Sequence, residues 1–128
     1  MTDVITTENA PQAIGPYIQG ARTSNFIFTS GQLPINPQTG SIPECAESQT
    51  RQSLENIQAI IEAGGLTVDN ICKINMFVKD LNEFDAINNA YAEFFTMHNA
   101  SFPARSCVEV ARLPKDVKVE IEAVAWQS

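Results

Sequence analysis

The sequence predicts an α+β domain built mainly of strands, and three observations carry that prediction. Six short runs either alternate apolar with polar side chains or concentrate β-branched and aromatic residues, as strands do. Two longer runs, 46–63 and 82–98, repeat apolar residues at spacings of three and four, as an amphipathic helix does. Apart from Gly20, the glycines and prolines fall between or at the ends of these runs and mark turns. The resulting order is β-β-β-α-β-α-β-β. A chain of 128 residues, 44% of them hydrophobic, suits a single domain over 1–128.

In chain order, residues 3–6 read as a first strand and 9–16 as a loop punctuated by Pro11, Gly15 and Pro16. Residues 17–21 read as a second strand, Thr23-Ser24-Asn25 as a turn, and 26–30 as a third strand ending at Gly31. Residues 32–43 are loop, with a tight turn at 36–40. The first helix, 46–63, carries Thr50, Leu54, Ile57, Ile60 and Ile61 on one stripe. Gly64-Gly65 ends it as a left-handed cap. In the strand 71–78, Cys72, Ile74, Met76 and Val78 share one face, and Ile71 and Phe77 lie on the other. Asn82 opens the second helix as its cap, with Asp85 three residues on. Phe84, Ile87, Tyr91, Phe94 and His98 follow as one core-facing stripe. Asn88 lies beside Phe84 on its flank. His98, near the helix end, suits the dipole better than catalysis.

A strand–helix–strand unit leaves helices on one side of the sheet. The other face, partly apolar at Phe77, implies assembly with further copies.

The stretch 102–123 carries the densest chemistry. At period 2, Ala104, Ser106, Val108 and Val110 share one face, while Arg105, Cys107 and Glu109 share the other. In 117–125, Val117, Val119, Ile121, Ala123 and Ala125 form an apolar face opposite Lys118, Glu120 and Glu122. Each strand is expected to bury one face, leaving an arginine, a thiol and a carboxylate on the other. Arg offers a planar fork that grips a carboxylate at two points. A Glu with a raised pKa can take a proton from water. The competing reading is a solvated or subunit-facing surface with an ordinary ion pair. Pattern alone would pair these two strands as a hairpin.

Pro103-Ala104-Arg105-Ser106-Cys107-Val108, followed by Ala111, Leu113 and Val119-Glu120-Ile121, resembles the signature of the RidA family, also called YjgF. Ala13-Ile14-Gly15-Pro16-Tyr17, Ser30-Gly31-Gln32-Leu33-Pro34, Arg51-Gln52-Ser53-Leu54-Glu55-Asn56 and Phe77-Val78-Lys79-Asp80-Leu81 extend the resemblance over nearly the whole chain. The resemblance implies a fold like the Bacillus type of chorismate mutase: a six-stranded mixed sheet, two helices on one face, the last strand inserted within the sheet. It implies homotrimers with ligand clefts between subunits. It further implies hydrolysis of 2-imino acids, released by pyridoxal-phosphate enzymes such as threonine and serine dehydratases, to 2-oxo acids and ammonia, with no cofactor and no metal.

On this resemblance the catalytic residues are Glu120, which orients or deprotonates water, Arg105, which holds the substrate carboxylate, and Tyr17, which closes the cleft from the same or a neighbouring subunit. Arg105, Ser30, Gly31, Asn88, Cys107 and Phe84 bind substrate, with Asn88 at the cleft rim. Gly31 has two readings: a strand-end glycine with unusual backbone angles, or a place where the backbone must approach a ligand. Cys107 has two as well. With no histidine near it in sequence, a packing or backbone role is favoured over a nucleophile. Cys45, Cys72 and Trp126 depart from common members of the family.

The net charge of −7 argues against a nucleic-acid groove. No run approaches the roughly 18 apolar residues of a membrane span. No signal peptide is evident at Met1-Thr2-Asp3-Val4, so a cytoplasmic protein is expected. Three scattered cysteines and one histidine offer neither a disulfide framework nor a zinc site. Two rival functions remain at this level: an endoribonuclease, an activity attributed to animal family members, and a non-enzymatic 2-oxo-acid-binding or chaperone-like protein.

Overall fold

In a computed structural model, which describes residues 2–128, strands β1 (Thr2–Ile5), β2 (Gly20–Thr23), β3 (Phe26–Thr29), β4 (Ile71–Val78), β5 (Ala104–Glu109) and β6 (Val119–Trp126) form one sheet in the order β1-β2-β3-β6-β4-β5. Helices α1 (Ala46–Ala63) and α2 (Phe84–Met97) pack on one face. All strand pairs are antiparallel except β4 with β5, which α2 joins as a parallel crossover. The last strand enters the sheet between β3 and β4, so β5 and β6 are not a hairpin.

The core is where the helical stripes meet alternate strand residues. Leu54, Ile57, Ile60 and Ile61 of α1 pack with Ile87, Phe94 and Phe95 of α2 against Ile27, Ile74, Met76, Val119 and Ile121. α1 ends as its sequence predicts. Gly65 takes φ +93°, a conformation that costs glycine little, and Leu66 N–H returns to the Ile61 carbonyl at 3.1 Å.

Three local expectations are corrected. β2 begins at Gly20 rather than at residue 17, because Gln19 is spent on the preceding loop. Its amide oxygen accepts from Thr7 N–H at 2.7 Å, and its amide nitrogen donates to the Thr7 and Pro11 carbonyls at 3.0 and 2.8 Å. Asn82 does not cap α2. It sits in a 3-10 turn, Leu81–Glu83, whose cap is Asp80, accepting from Asn82 N–H at 2.9 Å. In β4 a register shift between Ile71 and Lys73 turns Ile71 into the core and leaves Cys72 exposed, reversing both assignments.

The face without helices carries Val4, Phe26, Phe28, Val108 and Trp126, all exposed, with Phe26 and Phe28 stacked at 6.0 Å. No helix among the described residues is long and apolar enough to cross a membrane.

Candidate functional site

Strand register decides which way each candidate side chain points. Across β4, Ile74 pairs with Arg105 and Ala123, Met76 with Cys107 and Ile121, and Phe77 with Val108 and Glu120. Residues directly opposite one another share a face of the sheet. Arg105 and Cys107 therefore stand on the helix side and Glu120 on the open side. This overturns the expectation that arginine, thiol and carboxylate share an uncovered face. On β5 the exposed residues are Ala104, Ser106 and Val108, with Glu109 exposed at the strand end. Alternation separates two sets of residues without saying which set meets the helices. On this edge strand the Arg105 stem and the Cys107 thiol fill the space beside α2.

The first group forms around Arg105. Phe84, Asn88 and Tyr91 recur on one face of α2 at i, i+4 and i+7. Arg105 Nη1 donates to Asn88 Oδ1 at 2.7 Å. The guanidinium carbon lies over the Tyr91 ring at 4.7 Å and over the Phe84 ring at 5.5 Å. Among the described residues no carboxylate lies within 4.0 Å of this cation; the ion pairs are Arg51–Glu93, Arg112–Asp116 and Lys118–Glu83. A half-buried guanidinium held by a neutral amide and two rings keeps its charge available to an external anion. Cys107 lies two residues along. Burial pushes its thiol above the usual 9.0, and Arg105 offsets this only in part, so the protonated form prevails at neutral pH.

The second group forms around Glu120. Gln32 bridges to Ile121 through Gln32 N–H to the Ile121 carbonyl at 2.7 Å and the reciprocal bond at 3.2 Å. That bridge lays Gly31 against Glu120: a Cβ on residue 31 would sit 2.4 Å from Glu120 Oε2. The close approach anticipated at Gly31 is thus to a carboxylate of its own chain. Burial first, and the neighbouring charge of Glu122 second, raise the Glu120 pKa above the usual 4.5. The Ser30 hydroxyl donates to the Ile18 carbonyl. Tyr17, half exposed, lines with Gly31 a hollow of about 410 Å³ walled by Ile14, Leu33, Ile35 and Ile42.

One protomer therefore gathers Phe84, Asn88, Arg105 and Cys107 on one side of the sheet and sets Glu120 on the other, against Gly31, with Ser30 adjoining Gly31 and Tyr17 lining the hollow that Gly31 also borders. It does not bring Arg105 and Glu120 into one hollow. His98 belongs to neither group. Its Nδ1 donates to the Phe94 carbonyl at 2.7 Å and its ring lies on Phe94. No cluster of metal-ligating side chains occurs among the described residues. Sequence reasoning passed over Tyr91, which the apolar stripe assigned to the core. The available signal was its position one helical turn beyond Asn88.

The family described as Endoribonuclease L-PSP matches residues 7–127. The chain is 62% identical to the 2-iminobutanoate/2-iminopropanoate deaminase of Escherichia coli K12, over 98% of each chain. Among solved structures, E. coli TdcF with bound serine superposes with a TM-score of 0.97 at 55% identity, covering 98% of this chain and 99% of that one. The YjgF gene product of E. coli gives 0.97 at 60% identity with the same coverage.

Proposed function

This chain belongs to the endoribonuclease L-PSP family, the RidA or YjgF proteins, and from that premise we propose that it hydrolyses reactive 2-imino acids and their enamines, such as 2-iminobutanoate and 2-iminopropanoate, to 2-oxo acids and ammonia. The observation that carries the proposal is the Arg105 guanidinium, which has no carboxylate partner among the described residues and is framed by Asn88, Phe84 and Tyr91. Every substrate of this class bears a carboxylate beside the reacting carbon, and a planar fork fixes both together. That a relative crystallised with bound serine supports a pocket for a small molecule bearing an amino-acid-like carboxylate.

In the reaction, Arg105 holds the carboxylate and Glu120 accepts a proton from water as it adds to C2. Glu120 then returns that proton to the nitrogen of the carbinolamine, the C2–N bond breaks to release ammonia, and the C2 hydroxyl gives up its proton to the carboxylate as the carbonyl forms. Tyr17 closes the cleft and donates a hydrogen bond. Backbone groups of Ser30, Gly31 and Cys107 bind water and the substrate nitrogen, Phe84 walls the site, and Asn88 holds Arg105 at the rim. An imine is electrophilic enough to need no covalent nucleophile, and the protonated Cys107 thiol agrees with that. The chemistry calls for neither metal nor cofactor.

Because Arg105 and Glu120 occupy opposite faces of one sheet, the cleft forms between copies. The Tyr17–Gly31–Glu120 side of one protomer meets the Arg105 side of the next in a homotrimer closed over the apolar open face. We place this activity in the cytoplasm, downstream of pyridoxal-phosphate dehydratases that release such imines. A ribonuclease fits less well: the chain carries a net charge of −7, and its one histidine is bound to the Phe94 carbonyl.

The deciding experiment couples a threonine dehydratase to this protein and follows loss of imine absorbance. Faster 2-oxobutanoate appearance that scales with added protein is expected. An unchanged rate, with tight 2-oxobutanoate binding, would instead make it a binding protein.

A further inference from the structure

We propose that Tyr91 is a positioning residue for Arg105: its ring face, not its hydroxyl, sets the plane in which the guanidinium receives a carboxylate. The proposal rests on Arg105 being the carboxylate anchor. A guanidinium binds a carboxylate in two places only if its plane is aimed, and the Arg side chain is long and flexible. The hydrogen bond from Nη1 to Asn88 Oδ1 at 2.7 Å, and the long one from the same nitrogen to Met76 Sδ at 4.0 Å, hold one corner of the fork, about which it can still turn. A flat, rigid surface beneath the group removes that turn.

Tyr91 is that surface. It lies closer to the guanidinium carbon than Phe84 does, 4.7 against 5.5 Å. It is also the more firmly held: Tyr91 is 6% exposed and packs on Phe95 at 4.9 Å between centroids, whereas Phe84 is only partly buried at the start of α2.

The hydroxyl has no such part. Tyr91 Oη is buried without a hydrogen-bond partner among the described residues, an arrangement that costs stability rather than adding to it. Burial pushes its pKa up to about 12, so it stays neutral and offers Arg105 no charge. What remains is the negative face of the ring, whose attraction for a cation depends on the ring's electron distribution and not on its volume.

That dependence supplies the test. Position 91 is replaced in the full chain by phenylalanine and by its 4-fluoro, 3,5-difluoro and 3,4,5-trifluoro derivatives, which drain the ring face with little change of shape. The readouts are calorimetric binding of 2-oxobutanoate, turnover of 2-iminobutanoate and the thermal midpoint. Tyr91→Phe should bind within about twofold of wild type, and affinity should fall stepwise with each fluorine, about fivefold across the series, at a constant midpoint. Tyr91→Leu should show the loss that Tyr91→Phe rescues; if it fails to fold, the fluorinated series still decides. A flat series, or losses that follow the midpoint, overturns the role of Tyr91 alone. Wild type that takes up no 2-oxobutanoate, or Arg105→Ala that takes it up as wild type does, overturns the anchor and this proposal with it.

Discussion

Gly31 and Glu120 lie so close that no side chain fits between them: a Cβ at position 31 would stand 2.4 Å from Glu120 Oε2 and 3.0 Å from its carboxyl carbon. The obstructed atoms are the far end of a flexible side chain, so the fold can yield where the proposed chemistry cannot. Gly31→Ala should lower imine turnover by about tenfold or more through a displaced carboxylate, while unfolding free energy moves by less than about 1 kcal/mol. Steady-state rates and denaturant melts of the same preparations check both halves.

Acid should switch the reaction off early. In the proposed chemistry Glu120 must be ionised to take a proton, and its pKa is raised, chiefly by burial and secondarily by Glu122. The acid limb of kcat/KM should therefore lie above the usual 4.5 and move to lower pH in Glu122→Gln, where the amide can keep the contact with Asn75. For stability the sign is opposite. A carboxyl raised in the folded state contributes most below its unfolded pKa and loses that contribution as pH rises through the folded one. Glu120→Gln should thus unfold later than wild type at neutral pH in denaturant melts, although it turns over little substrate.

Arg105→Ala and Cys107→Ser should part company. The first removes the proposed anion anchor and should cut turnover by about a hundredfold or more. Its fold should persist, since no carboxylate loses a partner with it. The second should keep activity within about fivefold, because a thiol held protonated gives little nucleophile to lose. Circular dichroism alongside coupled rates separates these outcomes from misfolding; complete loss in well-folded Cys107→Ser would restore the nucleophile.

Two inactive variants should mend each other. If each cleft takes Glu120 from one protomer and Arg105 from the next, Arg105→Ala and Glu120→Gln mixed after unfolding and refolding together should regain about a quarter of wild-type activity, the share of clefts that receive both intact residues. The double variant should regain none. Recovery absent from mixed particles of confirmed trimer mass would place both residues in separate roles.

Local periodicity made much of this legible. The bounds of α1, its glycine stop and the buried stripe of Ile57, Ile60 and Ile61 follow from spacing alone, because a helix face is a local property. The placement of β6 between β3 and β4 does not. Nothing in 117–125 says which strand it pairs with, and the family resemblance supplied that insertion. Strand faces failed where one residue changes the count. The irregularity at Ile71–Lys73 moved Cys72 from core to surface, and on β5 the set holding Arg105 proved to be the helix-facing one. The candidate residues could be named from the sequence, but their division between opposite sides of a sheet could not. Tyr91 was hidden because a ring that serves the core at its back and a cation at its front has the same spacing as any core aromatic.

Gln19 has a further consequence. Through one buried amide it stitches Thr7, Ala10 and Pro11 to the start of β2, and Pro11 is part of the wall of the 410 Å³ hollow beside Tyr17. That stretch has neither helix nor strand to stiffen it, yet its shape is settled when the chain folds. A small, short-lived guest of the kind proposed would meet a finished doorway there, with none of its modest binding energy going to tidying loose chain.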